Sequence, residues 1–270
     1  MSLAFALALA GGALFIAWIV SDPVLAARRR SRLHRRSLTD AERRTLADWL
    51  PVCQRMPHEL RDRLERLTAV FIGERQFVGC GGLEVTPEMK LAIASQACLL
   101  VLGRNTHVYD ELRAVLVYPS QFIVPEQWHD EHGVVTDEKR VLAGETWDQG
   151  RIILSWEDVG ARGDDGEAFN VVIHEFAHYL DHESGGAPWI HDAAARRRWD
   201  DLLERELAVV RDAERRGEPT FLDPYAGEDR AEFFAVASEA YFEEPQRFAR
   251  SMPSLYAALR DVYRLDPAAW

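Results

Sequence analysis

Residues 171–180 read Val171-Val172-Ile173-His174-Glu175-Phe176-Ala177-His178-Tyr179-Leu180. No glycine or proline interrupts them, and Ile173, Phe176, Ala177 and Leu180 supply the apolar side of a helix. Residues four apart share one helix face. His174 and His178 can therefore aim a ring nitrogen each at one ion, while Glu175 lies beside that face, where it can hold a water. Two imidazoles and one carboxylate with an open position suit zinc. Zinc lowers the pKa of water from 15.7 toward about 7 and polarises a carbonyl. A chain with nine histidines can hold H-E-x-x-H by accident, as two partly exposed histidines and a solvated Glu. The helical setting that the motif requires favours the metal reading.

A third ligand must come from elsewhere. A His at the sixth position after His178 is ruled out, because Asp181 and Ser184 stand where Gly and His would be needed. Glu232 and Glu239 lie on a helix expected at 231–243, two turns apart and on similar faces. Glu232 sits among Phe233, Phe234 and Val236, where an unpartnered carboxylate is costly. Glu239 or Asp181 could instead orient a histidine. For each of these two, an ordinary salt bridge or cap is the plainer alternative.

Working outward, Thr39 and Glu42 form a capping box for a first helix. Pro57 opens an amphipathic second helix through Leu60, Leu64, Leu67 and Phe71. Phe77-Val78-Gly79-Cys80-Gly81-Gly82 reads as short and turn-rich. Thr86-Pro87 starts an apolar helix through about Leu102, with Gly103 as its stop. Short β-type runs follow at 114–118, 122–124, 140–143 and 151–156. They predict a small mixed or antiparallel sheet, with Arg151–Trp156 as an edge strand able to pair with extended substrate. After Gly166 the chain reads as helical, at about 169–182, 192–216, 231–243 and 253–264. The fold class is α+β, with a zincin-like body and a mainly helical C-terminal half.

Cys53, Cys80 and Cys98 are too dispersed for a zinc or disulfide framework and read as reduced thiols. The net charge of −12 falls on the body, because residues 1–37 hold six arginines against one aspartate. An acidic body argues against direct nucleic-acid binding. Residues 3–20 are an uncharged apolar run of near-spanning length. Arg28, Arg29, Arg30, Arg32, Arg35 and Arg36 then place the body on the cytoplasmic side of a single-pass anchor in the inner (plasma) membrane. The expected organisation is an anchor at 1–25, a basic juxtamembrane segment at 26–38 and one domain at 39–270. The alternative is an exported soluble protein cleaved after Val24-Leu25-Ala26, but the arginines lie on the wrong side of the apolar run for a signal peptide.

HEFAHYLD at 174–181 and YAGEDRAEFFAVASEAYF at 225–242 resemble the Mlc titration factor A family of zinc peptidases. So do GETWDQGRIILSW at 144–156 and FARSMPSLYAALRDVYRLDP at 248–267. The Tyr225–Ala235 segment is more distantly similar to the catalytic domain of anthrax lethal factor. The resemblance implies one zinc ion on His174, His178 and Glu232, with Glu175 as general base. It also implies that Tyr225 donates to the oxyanion, a role spacing alone would not assign. The expected activity is peptide-bond hydrolysis, with aminopeptidase action as one form of it and a peptide or protein as substrate. The alternative is a membrane-tethered binding protein that sequesters a transcriptional repressor, since the family resembles regulators of that kind.

Overall fold

The computed structural model describes residues 38–104, 109–120, 122–129, 135–142, 146–147, 150–161 and 169–270. The expected anchor at 1–25 lies outside these residues, as does the basic segment up to residue 37. Among the described residues, no helix is long and apolar enough to cross a membrane.

Helix α1 (Asp40–Trp49) starts as its capping box requires. The Glu42 amide donates to Thr39 Oγ1 at 3.2 Å, and the Thr39 amide donates to Glu42 Oε2 at 2.8 Å. Helix α2 (His58–Glu74) follows Pro57, and α3 (Pro87–Leu100) follows the capping residue Thr86. Helix α3 is buried along nearly its whole length, in keeping with its all-round apolar sequence. It ends at Leu100, two residues short of the expected Leu102, because the chain must pass close to the C-terminus of a later helix. A Cβ on Gly103 would lie 2.2 Å from the Tyr263 carbonyl oxygen. The next residue, Arg104, donates from Nε to the Val262 carbonyl at 2.6 Å and from Nη2 to the Asp261 carbonyl at 2.5 Å. It thereby satisfies carbonyls that a helix end leaves unpaired.

The main sheet is mixed. Strands β1 (Gln76–Gly79), β2 (Ala114–Tyr118) and β6 (Arg151–Ser155) are parallel, and β5 (Thr146–Trp147) runs antiparallel to β6, in the order β1-β2-β6-β5. Strands β3 (Phe122–His129) and β4 (Val135–Leu142) form a separate antiparallel pair. Two sequence expectations need correction. The run from Phe77, read as turn, is a strand as far as Gly79. Its turn begins at Cys80, and Gly81 and Gly82 take positive φ there. Strand β6, read as an edge, lies inside the sheet between β2 and β5. The reason is its composition. Ile152, Ile153 and Leu154 are buried, as befits a parallel strand covered on both faces. The strand also stops one residue before the expected Trp156, because the Ser155 side chain accepts from the Asp158 amide and caps the short helix α4 (Trp156–Gly160).

The C-terminal half is helical, as expected: α5 (Val171–Ser184), α6 (Ala193–Arg216), α7 (Arg230–Glu243), the short α8 (Pro245–Ser251) and α9 (Pro253–Tyr263). Helix α7 is buried from Phe233 to Phe242 and forms the centre of this half. It packs against α5 on one side, while α6 covers it with the stripe Trp199, Leu203, Leu207 and Val210. Its own Tyr241 packs against Tyr256 and Tyr263 of α9, and the three hydroxyls bond to Leu265, Asp266 and Ser238 respectively. The architecture is therefore the expected α+β, with the helix pair α5 and α7 carrying every acidic and imidazole group of the candidate site. All three cysteines are free, and burial pushes the Cys98 thiol up to about 12.

Candidate metal centre

Helix α5 begins at Asn170, whose Oδ1 accepts the Ile173 amide at 3.0 Å, and ends in a left-handed Gly185 with φ of 63°. Between these caps, the motif side chains point as the spacing demands. His174 Nε2 and His178 Nε2 lie 3.0 Å apart. Helix α7 begins at Asp229, whose Oδ1 accepts the amides of Ala231 at 2.7 Å and Glu232 at 2.9 Å. That cap sets Glu232 in the first turn, where the helix dipole favours a negative charge. Glu232 Oε2 then reaches His174 Nε2 at 3.1 Å and His178 Nε2 at 3.3 Å.

Three ligand atoms thus form a triangle with sides of 3.0, 3.1 and 3.3 Å. Hydrogen bonding alone does not account for it. Glu232 Oε2 is out of contact with water and has no hydrogen-bond partner of acceptable geometry, although two ring nitrogens face it. His174 meets Glu239 Oε1 through Nδ1, at 2.7 Å. A neutral ring with its hydrogen on Nδ1 presents a lone pair at Nε2, toward the Glu232 oxygen. Lone pairs crowded together repel unless a cation lies among them. A tetrahedral site with bonds of about 2.0–2.1 Å would separate its ligand atoms by roughly 3.3–3.4 Å, close to the spacing seen. The donor set therefore fits a divalent metal, and among the described residues it is the group of His, Cys, Asp and Glu side chains that could hold one.

Burial opposes charge on His174, but the carboxylates of Glu232 and Glu239 outweigh it and raise the pKa to about 10. Burial likewise opposes charge on Glu232, but the two imidazoles hold its carboxyl far below the usual range. Glu239 is raised by burial, despite the pull of His174 and the Asn170 amide.

The other candidates read from the sequence are Glu175, Tyr225 and Asp181. Glu175 is buried, at 5% exposure, and its charge acts on both His174 and Tyr225. Tyr225 is half exposed, and its ring centroid lies 6.2 Å from that of His174. Burial and the charges of Glu232, Glu228 and Glu175 push the phenol's pKa well up, so it stays protonated. The turn carrying it, Pro224–Gly227, is held by Asp223 Oδ1 accepting the Tyr225 amide at 2.7 Å. Arg211 of α6 secures the far side, donating to the carbonyls of Gly227 and Glu228, each at 2.7 Å. Asp181, a candidate partner for a histidine, is raised by burial, and the charges of Arg230, His178 and Arg196 pull it down in that order. Sequence reasoning missed Asn170, Arg211 and Asp229. Asn170 and Asp229 had a legible signal as cap-type residues, and Arg211 had none.

Helices α5 and α7 thus converge two imidazoles and a carboxylate, beside a buried acid, into a group able to hold a metal ion. Comparison supplies the class. The family described as glucose-regulated metallo-peptidase M90 matches residues 25–264. An uncharacterized protein of Synechocystis sp. is 35% identical over 259 residues, covering 93% of this chain and 94% of its own. The Mlc titration factor A of Klebsiella pneumoniae subsp. pneumoniae is 34% identical over 233 residues, covering 82% and 84%. That of Pectobacterium atrosepticum is 35% identical over 243 residues, covering 83% and 88%. The chain belongs to the M90 metallo-peptidase family.

Proposed function

We propose that this chain is a zinc peptidase of the H-E-x-x-H…E type, with His174, His178 and Glu232 as ligands, Glu175 as general base and Tyr225 as oxyanion donor. The observation that carries the reading is the triangle of ligand atoms next to a buried Glu175. A purely structural zinc site has four protein ligands and no use for a base. Zinc held there supplies Lewis acidity, making water a stronger acid and a peptide carbonyl a better electrophile. Glu175 takes the proton from the attacking water and returns it to the leaving amine. Its burial places it in a medium of low dielectric, where that exchange is not screened. Tyr225, kept protonated by its acidic surroundings, donates its hydrogen to the carbonyl oxygen as negative charge builds there. Residues 39–270 form the catalytic body, and residues 1–25 tether it to the membrane with the body in the cytoplasm.

The test is digestion of a peptide library by the full chain, with and without chelator. Chelator-sensitive cleavage that zinc restores is expected. A zinc-loaded chain that cleaves nothing in the library overturns the reading. The relatives' name, Mlc titration factor A, favours a second one, in which the chain sequesters a transcriptional regulator. Tight capture of such a regulator by a chain without peptidase activity would establish it instead.

A further inference from the structure

Glu239 is buried to 3% exposure within the buried run Phe233–Phe242 of α7, and its two oxygens face two different donors. Oε1 meets His174 Nδ1 at 2.7 Å, and Oε2 accepts the backbone N–H of Asn170, the cap of α5. Asn170 is itself held, since its Nδ2 donates to Glu243 Oε1 at 2.7 Å. Glu232 and Glu239 thus meet opposite edges of one imidazole, Glu232 at Nε2 and Glu239 at Nδ1. Their shared face of α7, two turns apart, hides a division of labour between ligand and orienter.

We propose that Glu239 is a positioning residue that fixes the tautomer and ring angle of His174 and so sets the metal affinity of the centre, and that it must be a carboxylate because both of its oxygens have a donor to satisfy. The proposal rests on the metal centre argued above. An acceptor at Nδ1 keeps the hydrogen there and leaves the Nε2 lone pair free for the metal. An amide cannot replace it, because Gln offers one acceptor and one donor. If the Gln oxygen serves His174, its NH₂ opposes the Asn170 amide. If the group is reversed, the NH₂ opposes Nδ1–H and drives the hydrogen onto Nε2, where the metal belongs. Either arrangement leaves a buried polar group unsatisfied.

The experiment uses the full-length chain and zinc alone. Zinc affinity is measured by competition with a chromophoric chelator for wild type and Glu239→Gln. The hydrogen on the His174 ring is located by side-chain ¹H–¹⁵N spectra of the zinc-loaded proteins. The expected result is a wild type with its His174 hydrogen on Nδ1, and a Glu239→Gln variant whose affinity falls by about 10–100-fold as that signal shifts or is lost. Unchanged affinity overturns the proposal, and so does weaker affinity with the Nδ1–H signal intact, which would mark a merely structural role. Should the variant not fold, the wild-type spectrum still decides, since a His174 Nδ1–H signal without the downfield shift of a strong hydrogen bond to a carboxylate contradicts the proposal. A wild type that takes up no zinc overturns the metal centre itself, a result distinct from the other three.

Discussion

Removing the metal should cost this protein a measurable share of its stability, by an amount that depends on pH. The proposed ligands come from two helices, α5 and α7, so zinc held by them would bind only where both are in place. At a free zinc concentration 1,000 times its dissociation constant, linkage adds about 4.1 kcal/mol. For a body of this size each kcal/mol moves the melting midpoint by about 2–4 °C. Zinc should therefore raise it by about 8–16 °C. Protons compete for the same atoms. Folding raises the pKa of His174 from 6.5 to about 10, so its proton stabilises the metal-free chain fully below pH 6.5, and that stability is lost as pH rises through about 10. Zinc must displace this proton. Between these limits each unit of pH should change zinc affinity by about tenfold, or about 1.4 kcal/mol. The increment from zinc must then grow with pH, by about 3–6 °C per unit. Thermal melts at pH 7, 8 and 9, with excess chelator or with buffered zinc, test this for wild type and Glu232→Ala. A wild-type increment that is absent, or that shrinks as pH rises, refutes the reasoning. So does an increment that survives intact in Glu232→Ala.

Other outcomes follow from the same geometry. Glu175→Gln should lower kcat/KM for a cleaved peptide by about 10²–10⁴-fold while leaving zinc affinity within a few-fold, because residue 175 lies outside the ligand triangle. Chelator competition beside the activity assay checks both halves. Tyr225→Phe should lower kcat by about 10²–10³-fold with little change in KM, as expected for a donor that acts mainly in the transition state. Gly103→Ala should destabilise the fold by on the order of 3 kcal/mol in urea unfolding, since the new Cβ would meet backbone oxygens rather than movable side chains.

Much of the site was legible in the sequence because it rests on helix periodicity. His174 and His178 share a face by their spacing alone, and the apolar setting of Glu232 marked it as a carboxylate in need of a partner. The spacing could not separate ligand from orienter. Glu232 and Glu239 sit on similar faces of α7, and only the packing of α7 on α5 sends one to Nε2 and the other to Nδ1. Tyr225 was reachable only through resemblance, because its turn is placed by Arg211 from another helix. The sheet was harder to read. Parallel partners such as Gln76 and Ala114 are far apart in sequence, so no turn signal announces their pairing. Glycines 79, 81 and 82 made β1 look like turn throughout, whereas its first residues complete the sheet.

One ion is expected among His174, His178 and Glu232. Anomalous diffraction at the zinc edge, from crystals of the zinc-loaded chain, addresses it directly. The expected map has a single peak per chain within about 2.0–2.2 Å of His174 Nε2, His178 Nε2 and a Glu232 carboxylate oxygen. A peak elsewhere, or one bound by Glu239 in place of Glu232, would contradict the account.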